Sequence, residues 1–238
     1  MAATVTAWML MLAAAGPAAA GTFSIAPVRI ELAGAQRTAV LTVHNDDAAP
    51  LVVQLSVLNW AQPAGGESYA ATRDLLATPP VFTLPPNGEQ IVRVALRRDP
   101  DAARELDYRL LLAEVPQPID KNFTGLRVAL RLSIPVFVKA ASPVPAALAW
   151  RAQWLDDGGL AVSASNTGQT HQQVSDFTLH FAGSEGTARG VVSRYVLPGS
   201  TVTWKIAPPA GVARASAMSI RGASDQGNFQ ADVALAGP

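Results

Sequence analysis

The sequence contains no cysteine, and only 15% of its residues are charged, with a formal net charge of +0. The absence of cysteine excludes disulfides, thiolate catalysis and every cysteine-based metal site. A balanced charge provides neither the basic footprint of a nucleic-acid-binding protein nor a polybasic patch for a membrane surface. We therefore expect no nucleic-acid partner.

The motifs of common enzyme classes are also missing. There is no Gly-x-Ser-x-Gly nucleophile elbow, no phosphate-binding glycine loop and no dinucleotide-binding fingerprint. The three histidines, His44, His171 and His180, lie far apart and form no ligand-spaced pair, so each is expected to be a surface or cross-strand residue. The sequence thus predicts no catalysis, no cofactor and no metal, and an enzyme with an unrecognised site is kept as an alternative.

The chain opens with an apolar segment. Residues 1–20 combine a short apolar core with Ala18-Ala19-Ala20, a small-residue pattern typical of signal-peptide cleavage. No lysine or arginine precedes that core, and a buried N-terminal helix is the alternative. The segment is too short to span a bilayer, and no later stretch is apolar enough to do so. We expect export to a bacterial periplasm, a mature chain that starts at Gly21, and no membrane insertion of that chain.

Most of the remaining sequence has the alternation of apolar and polar residues that is typical of β-strands, and helical periodicity is absent. Short strands are separated by turn-forming clusters such as 45–47 and 156–159. Two prolines within 141–146 indicate a stiff linker. The pattern predicts an all-β protein made of two β-sandwiches in tandem. The predicted parts are a signal peptide over 1–20, an N-terminal domain over 21–140, a linker over 141–146 and a C-terminal domain over 147–238.

One segment differs from the others by its length, GLRVALRLSIPVFVK at 125–139. Every second residue from Leu126 to Val138 is a large aliphatic. At about 3.3 Å per residue such a strand would reach roughly 43 Å, more than twice the usual strand length. Pro135 cannot donate a ladder hydrogen bond and therefore favours an edge position. A long aliphatic edge normally invites aggregation, so its presence indicates a specific function. The alternative is that the segment is an ordinary central strand of a sandwich.

Four pieces of the chain, in this order, resemble the periplasmic chaperones of the chaperone–usher pathway: residues 27–60, 108–116, 126–139 and 195–200. The segments SIPVFV and YVLPGS are similar to the archaic, Csu-like branch of that family. The resemblance implies two immunoglobulin-like sandwiches set in an L around a cleft, with no enzymatic activity and no cofactor. It also implies two partners, the pilus or fimbrial subunits and the outer-membrane usher to which they are delivered.

In this family, the last strand of the N-terminal domain fills the open groove of an incomplete subunit sandwich, which is called donor-strand complementation. Strand addition uses backbone hydrogen bonds for affinity and alternate side chains for fit. The resemblance assigns the donor role to Leu126, Val128 and Leu130, with Leu132 continuing the same face. The next aliphatic residues are expected to pack in the chaperone's own core: Ile134, Val136 and Val138.

The resemblance also implies a basic anchor in the cleft, where an arginine and a lysine bind the C-terminal carboxylate of the subunit. The arginine corresponds to Arg29, whereas Pro135 occupies the position of the lysine. The other candidates for the basic anchor are therefore Lys139, which lies four residues further along, Arg93 and Arg97. Whether the free chaperone associates with itself is left open, and a two-domain surface adhesin or secreted β-sandwich protein is the alternative function.

Overall fold

The computed structural model describes residues 23–64, 66–116, 128–184, 186–190, 193–209, 212 and 215–236. Every regular element in these residues is a β-strand, so the all-β prediction is confirmed. None of the described residues forms a helix with the length and hydropathy of a membrane span. The predicted signal segment 1–20 and the predicted donor Leu126 lie outside the described residues.

The N-terminal sandwich is built from ten strands within the described residues. One of its sheets has four strands in the order β1-β3-β8-β6, and the other has the order β2-β10-β9-β4-β5 with β7 paired to β4. Alternate side chains of both sheets pack into one apolar core between them. The strands are β1 (Phe23–Ala26), β2 (Ile30–Leu32), β3 (Thr38–Asn45), β4 (Leu51–Ala61), β5 (Ser68–Ala71), β6 (Leu75–Thr78), β7 (Val81–Leu84), β8 (Glu89–Leu96), β9 (Leu106–Glu114) and β10 (Arg131–Val138).

The C-terminal sandwich contains the other strands of the described chain. Its strand order is β14-β13-β17-β18-β11-β12-β16, with β15 paired to β13. A short parallel contact between β11 and β18 joins its two antiparallel groups, which enclose a second, separate core. The strands are β11 (Leu148–Trp154), β12 (Leu160–Asn166), β13 (Gln172–Phe181), β14 (Thr187–Gly190), β15 (Arg194–Val196), β16 (Thr201–Ile206), β17 (Ala217–Ser224) and β18 (Gly227–Ala236).

The two sandwiches share a device for ending a strand. Asn45 ends β3, and its buried amide donates to the carbonyls of Ala49, at 2.8 Å, and Pro85, at 3.0 Å. Asn166 ends β12 and donates in the same way to the carbonyls of Thr170, at 2.8 Å, and Val196, at 3.0 Å. Each asparagine thus satisfies backbone acceptors that the turn removes from the ladder. The first of these turns, at 45–47, was predicted from the sequence.

The hairpin predicted at 156–159 joins β11 to β12, where Trp154 pairs with Leu160. Gly158 has a φ of 82°, a conformation that suits glycine because it has no Cβ. Residues 139–147, between β10 and β11, contain no strand. They include the predicted linker, and the exact division into domains at 141–146 stays a prediction.

Candidate functional site

β10 has a different neighbour along each of its two sides. Antiparallel β9 follows it over its whole length, from the pair Arg131–Ala113 to the pair Val138–Leu106. Parallel β2 covers the other side only at 136–138. Within the described residues, the stretch 131–135 therefore has an unpaired side.

Hydrogen-bond directions show which backbone groups face that open side. The carbonyl of Leu130 accepts from Glu114 N of the β9 strand at 2.9 Å, whereas Lys139 N donates to Leu32 O on the β2 side at 2.8 Å. Because successive residues of a strand face opposite neighbours, the N–H groups of Arg131 and Ser133 face the open side. Pro135 takes the next such position, where its missing N–H leaves no donor unsatisfied.

The aliphatic residues of this segment become steadily more buried along the chain. Val128 is 52% exposed, Leu130 and Leu132 are half-buried against the N-terminal core, and Ile134 is 1% exposed. The strand itself is shorter than the predicted 126–138, since β10 begins at Arg131 within the described residues. Its edge character is also limited to the outer part, because β2 pairs with its inner end.

The alternation of side chains gives the β10–β9–β4 sheet a second face, opposite the core, that looks toward the C-terminal sandwich. Phe137, which pairs with Glu31 on β2 and with Asp107 on β9, lies on this face. Phe137 and Trp60 form a buried cluster with Leu197 of the C-terminal sandwich. The two sandwiches therefore meet on an apolar patch beside the open side of β10.

The segment YVLPGS, which carried part of the sequence resemblance, supplies the other half of this interdomain patch. Tyr195 packs edge-on against Trp60, with ring centroids 5.6 Å apart. The segment then makes a turn in which Ser200 N donates to Leu197 O at 3.0 Å. Proline followed by Gly199, with a φ of 70°, suits a type II turn.

A chain of charged side chains lines the cleft next to this patch. Glu31 accepts from both basic anchor candidates, Arg29 Nε at 3.2 Å and Lys139 Nζ at 2.8 Å. The hydrogen bond from Lys139 is the main cause that lowers the pKa of the Glu31 carboxyl below its usual value. Arg29 Nη1 also reaches across to Asp225 Oδ2 of the C-terminal sandwich, at 3.0 Å.

The structure thus brings two of the four anchor candidates together and separates the other two from them. Arg29 and Lys139 share Glu31 in the cleft. Arg93 lies on β8 of the other sheet, where it pairs with Val40, and Arg97 follows the end of β8. Both Arg93 and Arg97 are exposed.

The expectation that every histidine is a surface or cross-strand residue is wrong for His171. This residue is 4% exposed, and its ring stacks on Phe137 with centroids 3.5 Å apart. Its Nδ1 lies 2.6 Å from Glu105 Oε1, and its Nε2 lies 3.6 Å from Asp225 Oδ2. Burial alone would lower the pKa of His171, but these two carboxylates outweigh burial and raise the pKa to about 9.

A second buried carboxyl lies beside Glu105. Asp107 is 7% exposed, and burial, followed by repulsion from Glu105, raises the pKa of its carboxyl well above the usual value. Sequence reasoning missed this interdomain group because its members are distant in the chain and have no motif spacing.

One family matches the chain in sequence. The model of the family described as "Pili and flagellar-assembly chaperone, PapD N-terminal domain" matches residues 22–143, a range that includes Arg29, β10 and Lys139. No curated protein matches the chain in sequence.

Several solved structures have a similar fold. A chaperone–tip adhesion subunit complex, CsuC–CsuE from the archaic chaperone-usher Csu pili of Acinetobacter baumannii, contains a chain with a TM-score of 0.65 and 20% identity, covering 90% of this chain and 99% of that one. The Escherichia coli chaperone DraB has a TM-score of 0.60 and 21% identity, and the match covers 90% of this chain and 98% of DraB. The Pseudomonas aeruginosa chaperone CupB2 has a TM-score of 0.54 and 19% identity, and the match covers 87% of this chain and 97% of CupB2. This likeness supports the prediction of two immunoglobulin-like sandwiches.

Proposed function

The chain belongs to the family of pilus and flagellar-assembly chaperones, and on that premise we propose that it lends the outer half of β10 to pilus subunits in the bacterial periplasm. The observation that carries the proposal is the side of 131–135 that no strand of the described residues pairs with, and this side continues toward the exposed Val128. An extended segment of a subunit can add to this side as a new strand, as in other strand-addition complexes. The chaperone then hands the subunit to an outer-membrane usher.

The free energy available from side-chain burial indicates which contacts would hold such a complex together. Full burial of an aliphatic side chain contributes about 1.5–3 kcal/mol. Val128 is only half exposed and Leu130 and Leu132 are half-buried already, so each has roughly 1 kcal/mol left to contribute. Most of the affinity must therefore come from other sources. These are backbone pairing at Arg131 and Ser133, the predicted donor Leu126, and burial of the subunit's own groove.

The cleft would hold the C-terminus of the same subunit. Arg29 and Lys139 form a basic pair, and Arg29 keeps a side-chain exposure of 35%. In the free chain, the Glu31 carboxylate forms ion pairs with both of these cations. An incoming carboxylate would compete with Glu31 and form charge-assisted hydrogen bonds to the same groups. We assign the lysine role of the family to Lys139, since Pro135 at the family position is buried and has no charge.

The proposal is tested by co-expression with a pilus subunit encoded beside the chaperone gene, followed by purification of a one-to-one complex. Val128→Asp should abolish the complex while the chaperone stays folded. An unpaired carboxylate in the apolar groove would cost several kcal/mol, which is a loss of at least about 100-fold in affinity.

Val81→Asp is the matched control for this experiment. Val81 is 53% exposed, nearly the same as Val128, but lies on β7 away from the open side of β10. It should retain the subunit. Equal loss of the complex in both variants, or in neither, would show that β10 is not the donor strand.

The anchor is tested by Arg29→Ala and Lys139→Ala, with Arg93→Ala as the control on the other sheet. Loss of a hydrogen bond to a charged group costs about 1.5–3 kcal/mol, so each of the first two variants should weaken subunit binding roughly 10–100-fold. If Arg93→Ala weakens binding and Arg29→Ala does not, the anchor role passes to Arg93 and Arg97.

A further inference from the structure

We propose that Glu105, Asp107 and His171 bind a divalent transition-metal ion, Zn²⁺ in particular, between the two sandwiches. In the N-terminal sandwich, Glu105 directly precedes β9 and Asp107 is its second residue, and His171 directly precedes β13 in the C-terminal sandwich. One ligand atom from each residue lies within 4.8 Å of the others. The three residues are 2%, 7% and 4% exposed.

Two oxygen atoms of this group are buried without a hydrogen-bond partner among the described residues. They are Glu105 Oε2 and Asp107 Oδ1. A carboxylate oxygen that is removed from water without a partner is strongly destabilising. A divalent cation placed between the two side chains would give each oxygen a ligand bond and would neutralise both negative charges.

The surroundings of the His171 ring are those of a metal ligand. Histidines that bind metals almost always present their second nitrogen to a carboxylate, carbonyl or water. With Nδ1 on the metal, Nε2 would face Asp225 Oδ2, now 3.6 Å away. Asp225 is itself fixed by Arg29 at 3.0 Å and by Gln173 N at 2.9 Å. Stacking on Phe137 holds the plane of the ring.

The choice of metal follows from the ligand atoms. One imidazole nitrogen and two carboxylates suit Zn²⁺, whereas Mg²⁺ and Ca²⁺ prefer sites made only of oxygen. Metal ligation would replace the present contact between His171 Nδ1 and Glu105 Oε1, at 2.6 Å, by two bonds to the ion. Because the ligands come from both sandwiches, a bound ion would fix their relative orientation.

The test uses the full mature chain, purified without a histidine tag and freed of metal with a chelator. Co²⁺ should give the visible absorption of a site with a nitrogen ligand and low coordination number, saturating at one equivalent, and ZnCl₂ should abolish it. A ZnCl₂ concentration of about 100 times Kd should raise the melting temperature by roughly 5–10 °C. MgCl₂ and CaCl₂ at the same concentration should not.

Variants then locate the ion. Asp107→Asn should lower Zn²⁺ affinity at least tenfold, and Asp225→Asn, behind the histidine, should lower it about 10–100-fold. His44→Gln is the matched control, because His44 forms an exposed pair with Asp46 at 3.5 Å and offers the same atom types. It should leave the stoichiometry and affinity unchanged.

Two results would overturn the site. The first is the absence of a one-equivalent Co²⁺ spectrum in the unaltered chain, which needs no variant to fold. In that case the two buried carboxyl groups are held without an ion, and Asp107→Asn, which removes one of them, should leave the melting temperature unchanged or raise it. The second is binding that survives Asp107→Asn but disappears in His44→Gln, which would place the ion on the surface. Neither result depends on subunit binding, so failure here leaves the proposed function untouched.

Discussion

The two halves of β10 have the same alternating aliphatic sequence but different surroundings. In the inner half, 134–138, every side chain is buried: the aliphatic residues enter the N-terminal core, and Pro135 and Phe137 lie on the side of the cleft. In the outer half, Arg131 and Ser133 are exposed and Leu132 is only half-buried. The two halves also differ in pairing, because β2 pairs with β10 only from Val136 onward.

This comparison shows how one strand can combine a buried scaffold half with a half that has an open side, and the proposed function assigns the binding of a partner to that open side. An open aliphatic edge is a hazard because it can pair with any other strand. Here residues 136–138 are paired with strands on both sides, so the position and direction of the outer half are set in the free chain, without the subunit that the proposed function would bind there. We expect that substitutions in the inner half affect folding, whereas those in the outer half affect recognition.

The largest effect is expected from Ile134→Asp, on the core side of the inner half. Ile134 is 1% exposed and contacts the N-terminal core. Removing a buried isoleucine costs about 2–5 kcal/mol, and an unpaired buried carboxylate adds several more. The sum is comparable with the whole stability of a domain, so the N-terminal sandwich should unfold.

Thermal and urea melts of Ile134→Asp and Val128→Asp measure this difference directly. Val128→Asp should melt like the unaltered chain, because its new carboxylate faces water. Equal destabilisation by the two substitutions would mean that β10 is an ordinary core strand along its whole length, and the distinction between its halves would fail.

An intermediate effect is expected at the boundary, from Leu132→Ala. Leu132 is half-buried against the core and pairs with Leu112 on β9. Truncation of a fully buried leucine costs about 2–5 kcal/mol, so partial burial predicts a loss of roughly 1–2 kcal/mol in the free energy of unfolding. Val128→Ala, the comparison variant, should stay within about 0.5 kcal/mol. Urea titrations separate these outcomes, and identical values would place both residues in one environment.

Much of the fold could be predicted from the sequence because strand alternation and turn residues are local signals. Neighbouring residues were enough to predict the aliphatic face of β10, the hairpin at 156–159 and the turn at 45–47. The length of the 126–138 strand was overestimated, because periodicity shows which residues share a face but not where the pairing with a neighbouring strand ends. Here the pairing with β9 ends at Arg131 and Ala113.

The cleft was predicted only in part, for a related reason. Arg29 was reached through the family resemblance, but its partner Asp225 is 196 positions away in the chain. His171 and Glu105 are 66 positions apart. No periodicity relates such residues, and three scattered histidines normally indicate solvent-exposed side chains. Contacts of this kind depend on how two sandwiches dock, which no local pattern encodes.

The test that disturbs the protein least is amide hydrogen exchange, because it compares the two halves of β10 without any substitution. The N–H of Ser133 faces the open side, whereas the next N–H, that of Ile134, faces β9. In the free protein, Ser133 should therefore exchange at least about 100-fold faster than Ile134, because exchange at a paired amide requires local opening. Binding of a subunit should slow Ser133 and leave Ile134 unchanged. If Ser133 is already protected in the free protein and loses that protection on dilution, a second copy of the chain covers the open side, and subunit binding must first displace it.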